Sequence, residues 1–453
     1  MATTEPEEEN PILALPKGPS IAILPFDTFS EDENIEYFAD GLAEDITTAL
    51  SRFPDLFVIS RNSTFQYKGQ AIDVREVGSN LGAEYVLEGS VRLTSDNLRV
   101  NAQLLNATDG SHLWAETFDR DFTAEDLFDI QDSITEHVVS VIGDAWGVLA
   151  QDRMERVRGL GTQNLGSYAC VARVQSYFRT FTPDEHLAVR TCLEETVEND
   201  PGYANAWAWL ARLIVDEYQI YQNPKPNSLD RALAAAQPAV ELDPQNDQAQ
   251  AALADAHFHR LEMDEFAAAA KRTLDLNPNS SAALAEIGYQ YAYMGEWDRG
   301  ISLLRKAQKL NPRHPNWYFV ITTFDQYGKG QYEAALTEAQ KINMPGFFLN
   351  FMMLGMTYGQ MGRLNEAKAA LEKLDSLWPG FTMENARDFM GRIMPDGNVR
   401  ERVFEGLRKA GLPEAPPAPA RLVIAVLPFD SASEDADHQF FADGIAEDII
   451  TRL

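Results

Sequence analysis

Three prolines set the frame of this chain. Pro244, Pro278 and Pro312 stand 34 residues apart and each ends a similar phrase, AVELDP, TLDLNP and KAQKLNP. A period of this length restricts a chain to stacked units, because one unit is too small to bury its own apolar face and must lean on its neighbours. Upstream of Pro312 stand Leu284, Ile287, Gly288 and Tyr291, then Gly295, Trp297 and Ala307. Phe351, Leu354, Gly355, Tyr358, Gly362, Ala367 and Leu374 repeat the theme before Pro379, with Gly330, Gln331, Tyr332 and Ala335 marking the unit between. An earlier unit has Trp207, Leu210 and Ala211 in place but runs 43 residues from Pro201 to Pro244. The nine extra residues are expected as a long inter-helix loop at Tyr221–Ser228, and a degenerate first unit ends at Pro201. The pattern predicts six helix pairs over 165–379 and a helical cap over 380–412.

These residues resemble the tetratricopeptide repeat, which implies an all-α solenoid whose first helices line a concave face. Read by phase, the inward positions are Trp209 and Arg212; Asp255, Phe258 and His259; Tyr289 and Tyr293; Trp317, Phe324 and Tyr327; and Met352, Met353 and Met356. Repeats that grip a free carboxylate use clustered Lys, Arg and Asn there. One Arg among many aromatics and methionines suits instead an apolar peptide or an amphipathic helix. The competing expectation is that several of these side chains are inter-repeat core.

The first 145 residues have a different period. Ile21–Phe26 and Leu56–Ser60 read as strands, and Tyr37–Phe53 and Val74–Leu81 as helices. Tyr85–Leu93 and Leu98–Leu105 flank Ser95-Asp96-Asn97 as a hairpin. His112–Phe118 is a further strand, and Ala124–Ile142 a closing helix. The fold class expected is therefore a small mixed-sheet α/β domain followed by an α-helical solenoid. The phrases ILPFD (23–27), EYFADGLAEDI (36–46), FVISRNSTFQYKG (57–69), LGAEYVLEGSVR (81–92), AQLLNATDGSHLWAETFDR (102–120) and FDIQDSI (128–134) resemble the TolB-like amino-terminal domain. That resemblance implies a bacterial setting beside tetratricopeptide repeats and the company of class III adenylate or guanylate cyclases. The divisions expected are an acidic tail (1–19), the TolB-like domain (20–145), a helical connector (146–164), the solenoid, its cap, and a Pro-rich linker (413–420).

Against catalysis, no segment is free to house a cyclase domain. Asp27 follows a strand but lacks a partner aspartate, so a turn-capping role is expected. Gly328-Lys329-Gly330 lacks the spacing of a phosphate loop, and Gly159-Leu160-Gly161 reads as a joint. His257 and His259 lie on different faces of a helix, and His259 with Glu262 supplies too few metal ligands, which leaves a solvated face. Cys170 and Cys192 fall on the two helices of the first unit; buried reduced thiols are expected, with metal or redox use the other reading. Neither a cofactor nor a metal is expected. With 38 Lys+Arg against 69 Asp+Glu the net charge is −31, which disfavours nucleic acid and anionic membranes. No signal peptide or membrane span is evident, so a cytoplasmic protein is expected.

Residues 424–453 match 21–50 without a gap, at 19 of 30 positions. One strand and one helix cannot close a core, so 421–453 is expected to be either a second TolB-like domain cut short, which is favoured, or a tail that pairs with another molecule. The function expected is a non-catalytic interaction and regulatory scaffold with a protein or peptide partner. The alternatives are a piece of a cyclase polypeptide and a self-assembling structural protein.

Overall fold

The computed structural model describes residues 19–29, 33–94, 97–121, 127–157, 167–394 and 397–415. The described residues up to Leu412 belong to one compact unit. The joint at Gly159–Gly161, the turn at Ser95-Asp96, the acidic tail up to residue 18 and the repeated segment 421–453 lie outside them.

The amino-terminal part is a mixed sheet with β1 (Ser20–Ile23), β2 (Asp27–Thr28), β3 (Phe57–Val58), β4 (Tyr85–Leu93), β5 (Asn97–Asn106) and β6 (His112–Asp121). The order is β3-β1-β4-β5-β6, with β2 paired to β4. The strands β1, β3 and β4 run parallel, and β4, β5 and β6 form an antiparallel meander. Helices α1 (Glu33–Leu50) and α4 (Leu127–Gly143) cover one face, where Ile23, Leu42, Ile46, Leu87, Val100, Ile134 and Val138 pack as the core. Gly89 allows that packing: a Cβ there would sit 2.3 Å from the Phe26 ring and 2.4 Å from the Asn101 carbonyl oxygen. The short α2 (Arg61–Thr64) and α3 (Val74–Leu81) follow β3, and the second face has a smaller core of Ala22, Leu24, Val77, Val86 and Ala107.

The rest of that second face is polar. Gln103 donates to Glu88 (2.6 Å), Asn101 to Ser90 (3.2 Å) and Thr117 to Asn101 (2.8 Å), above a broad hollow of about 590 Å³. Asp27 lines this hollow from β2, where it pairs with Ser90 of β4. The two-residue strand β2 was not expected, and it places Asp27 in the sheet rather than in a turn.

Helix α5 (Val148–Val157) leads toward the helical array. Asp144 ties the two parts together: its Oδ1 accepts from the Trp146 backbone N–H (2.9 Å) and from Asn311 Nδ2 (3.2 Å), and its Oδ2 from the Ala282 N–H (3.2 Å). The array follows as six antiparallel pairs: α6 (Ser167–Thr180) with α7 (Pro183–Asn199), α8 (Ala204–Gln219) with α9 (Ser228–Leu242), α10 (Asp247–His259) with α11 (Met263–Leu276), α12 (Ser281–Tyr293) with α13 (Trp297–Leu310), α14 (Phe319–Gly328) with α15 (Tyr332–Ile342), and α16 (Phe348–Gln360) with α17 (Leu364–Leu377). Pro201, Pro244, Pro278, Pro312 and Pro379 stand just beyond the second helices, where a residue without an N–H cannot extend the helix. Two further helices end the array, α18 (Met383–Ile393) and α19 (Asn398–Ala410).

The cysteine expectation is corrected here. Cys170 on α6 and Cys192 on α7 face each other with Cα atoms 5.7 Å apart and are joined as a buried disulfide. Packed antiparallel helices bring facing positions into the range a disulfide spans.

Candidate functional site: the lumen of the helical array

The array coils tightly enough for its ends to meet. Phe181, just after α6, stacks on Phe347, just before α16, with ring centroids 4.7 Å apart. Helix α18 crosses back to α8: Arg392 donates to the Tyr218 carbonyl (3.0 Å) and lies over the Tyr218 and Tyr221 rings, and Tyr221 bonds to Asp388. The apolar face of α18, with Met383, Phe389, Met390 and Ile393, is thereby buried.

This corrects the expectation of an open groove. Trp209, Arg212, Asp255, Phe258, His259, Tyr289, Tyr293, Trp317, Phe324, Tyr327, Met352, Met353 and Met356 are all buried, none more than 8% exposed. Phe258 packs on Phe266 of α11 and Tyr327 donates to the Arg402 carbonyl of α19 (2.8 Å), and at the other positions the winding of the array and the returning α18 leave no open concave surface. Four of them, Arg212, Tyr289, Tyr293 and Trp317, line a cavity of about 60 Å³ together with Phe178, Phe181, Asp216, Phe347 and Phe389. Trp209 instead borders a cavity of about 70 Å³ at the junction with the α/β part, beside Asp55, Asp144, Arg153 and Asp247.

Charge in the lumen centres on Arg212. Its guanidinium pairs with Asp255 and, through Nε, with Glu286 Oε1 at 3.2 Å. Tyr289 donates to Asp255 Oδ1 (2.5 Å), as does Gln290 (2.8 Å). Burial alone would push the Asp255 carboxyl up, but Arg212, His259 and these donors outweigh it and hold it below the ordinary carboxylate range. Its neighbours fare otherwise. Burial raises Glu286 to about 7 despite Arg212, with Asp255 and Asp216 adding to the rise. Burial likewise raises Asp216 to about 7, although Tyr177 donates to its Oδ2 at 2.8 Å and Arg212 favours the charge. One guanidinium thus serves three carboxyl groups.

Asp216 and Glu286 do not stand out in the sequence, because an acid on a helix is ordinarily solvated and nothing local marks these two as buried. A second departure concerns the histidines. His259 is not on a solvated face; it is buried 3.6 Å from Asp255, against the Tyr218 ring, and burial lowers its pKa. His257, not His259, pairs with Glu262, at 2.7 Å. Among the described residues no group of three or more His, Cys, Asp or Glu is placed to hold a metal ion. No helix among them is long and apolar enough to cross a membrane.

Tetratricopeptide-repeat models match residues 227–281 and 350–379, and the helical array is a tetratricopeptide array. A model described as the second domain of HilA/YgeH-like transcriptional regulators matches residues 17–137. A Rhizobium meliloti (strain 1021) protein named "Putative adenylate cyclase 3" is 39% identical over 252 residues, 55% of this chain and 42% of that protein. The chain thus spans less than half the length of that curated relative. Among solved structures, YrrB, titled a tetratricopeptide protein with an unusual peptide-binding site, matches 41% of this chain and 92% of its own at 18% identity and a TM-score of 0.27. TolB from Acinetobacter baumannii matches 28% of this chain and 30% of its own at 23% identity and a TM-score of 0.21.

Proposed function

We propose that this chain is a non-catalytic interaction and regulatory module of class III nucleotide cyclase signalling. In this reading a TolB-like α/β domain (20–145) leads through a connector (146–164) into a tetratricopeptide array (165–379) that engages a protein partner. The array of stacked helix pairs carries the reading, because such arrays act through contact surfaces. The cyclase setting is supported by the sequence shared with the protein named as an adenylate cyclase. A partner peptide would displace α18, whose Phe389 lines the lumen cavity, and meet the four expected groove residues that line it as well, Arg212, Tyr289, Tyr293 and Trp317.

The test mixes the full chain with a purified class III cyclase catalytic domain and measures cyclic nucleotide formed from ATP and GTP. The chain alone should form none, and adding it should change the output of the catalytic domain. Product from the chain alone overturns the non-catalytic reading, and an unchanged output overturns the regulatory one. A second reading, that the chain is part of a cyclase polypeptide, is favoured by the greater length of the relative it matches. Sequencing the gene on either side of these codons separates the two.

A further inference from the structure

We propose that the lumen cavity is a binding site for a primary alkylammonium group, the head of a small amine or of a lysine side chain, with Asp216 as its counter-ion. The proposal does not rest on the cyclase reading.

Size comes first. At about 60 Å³ the cavity is well below the roughly 150 Å³ that accepts benzene, yet several times the 10–15 Å³ or so that one water needs. It therefore suits an ammonium with one or two carbons, or an ammonium and a water. An aromatic ligand does not fit.

The wall chooses the sign of the charge. Phe178, Tyr289, Tyr293, Trp317, Phe347 and Phe389 present aromatic rings to the cavity, and aromatic faces attract cations through their quadrupole. Asp216 is the carboxyl group in this wall, is 2% exposed, and has no ion pair within 4 Å among the described residues. Arg212 also reaches the cavity, but its charge is already matched by Asp255 and Glu286. Three carboxyl groups face one guanidinium, and burial lowers the pKa of the neighbouring His259. A monovalent cation beside Asp216 supplies what this balance lacks, whereas an anion would meet Asp216 unpaired. A divalent metal ion would want more hard oxygen ligands than one carboxylate offers.

One further observation points to an occupant. Trp317 lines the cavity, and its indole Nε1 is buried with no hydrogen-bond partner among the described residues, a costly state for a donor. A water carried in with the ammonium would accept from the indole while accepting from the ammonium as well.

The experiment titrates the full chain at pH 8 with methylammonium and ethylammonium chloride, following tryptophan fluorescence. Sodium and tetramethylammonium chloride at matched ionic strength are the controls. Saturable binding of the two primary amines is expected, with sodium silent and tetramethylammonium excluded by size. Asp216→Asn, which keeps a group able to accept from Tyr177, should weaken binding by roughly tenfold or more. Asp275→Asn, on the exposed face of α11, should leave it unchanged. No saturable response in the unaltered chain overturns the proposal, and so does a response that survives Asp216→Asn or tetramethylammonium binding equally well. A short lysine peptide that competes with ethylammonium, when its norleucine version does not, identifies a side chain as the source; ethylammonium binding without peptide competition identifies a free amine. Either outcome supports the site. Ammonium binding with no effect on a cyclase would leave this inference standing while the functional reading failed.

Discussion

Asp216 and Glu217 are consecutive on α8, and both are buried, yet they sit in opposite electrostatic settings. Glu217 points away from the lumen, where Arg190 and Arg231 reach its two oxygens at 2.7 Å each and the Lys225 N–H donates at 2.9 Å. Burial works against its charge, but these partners prevail and hold its carboxyl below the ordinary range. Asp216, about 100° further round the helix, faces the lumen and shares Arg212 with two other acids. The comparison teaches that burial does not decide the charge of a side chain here. What decides it is how many cations and N–H donors the surrounding elements bring. Glu217 holds the loop 220–227 and helices α7 and α9 together, while Asp216 is left available.

Removing Glu217 should have the largest effect. Glu217→Ala leaves the buried Arg190 with only the Asn223 carbonyl and a distant Glu194, and frees the loop that Lys225 and Ser228 anchor; breaking one side of such a pair costs about 3–5 kcal/mol. Urea unfolding followed by circular dichroism measures this. A loss below about 1 kcal/mol would mean that Glu217 and Asp216 are not the opposites drawn here.

The next effect comes from the disulfide, because the first pair of helices holds one anchor of each acid: Tyr177 of α6 bonds to Asp216 and Arg190 of α7 to Glu217. The Cys170–Cys192 link closes a separation of 22 residues. Cys170→Ala with Cys192→Ala should therefore lower stability by about 2–4 kcal/mol, and thiol treatment of the unaltered chain should reproduce the loss. A chain whose unfolding midpoint ignores both changes would show that the α6–α7 contact does not depend on the link.

Much of this architecture is legible in the residues. Prolines 34 apart fix the register of the middle pairs, and the phase of each first helix puts Arg212, Asp255 and Tyr289 on the inside. The apolar runs Tyr85–Leu93 and Leu98–Leu105, set on either side of a polar turn, mark a hairpin of the meander. Three features are not legible, each for a physical reason. Whether inward residues line an open groove or a closed lumen depends on accumulated winding, which brings Phe181 to Phe347 across more than 160 residues and which no local pattern encodes. The return of α18 onto α8 rests on Arg392, Tyr218 and Tyr221, polar and aromatic contacts without a period. The pairing of two cysteines depends on the facing of α6 and α7 in space, and their spacing is equally compatible with separate thiols.

The smallest effect, and the one that separates the two acids most sharply, is the response to pH. The folded-state value for Asp216 is about 7, raised by burial from an ordinary 3.8. The folded chain thus holds this proton where the unfolded chain has released it, so stability falls as pH rises from about 4 to about 7 and is level above. Asn cannot ionise and escapes this penalty. Asp216→Asn should therefore be more stable than the unaltered chain at pH 8, by about 2 kcal/mol once sharing of Arg212 with Glu286 is allowed for, and equal to it near pH 4. Glu286, raised in the same sense, keeps part of the slope in the variant. Glu217 runs the other way: its folded-state value is depressed, so its contribution is present above the unfolded value and lost as pH falls through the folded one. The deficit of Glu217→Ala should accordingly shrink in acid, while the advantage of Asp216→Asn grows toward alkaline pH. Chemical denaturation of the three proteins at pH 4, 6 and 8 gives both trends, and an Asp216→Asn chain weaker than its parent at pH 8 would show that the lumen already supplies Asp216 with a counter-charge.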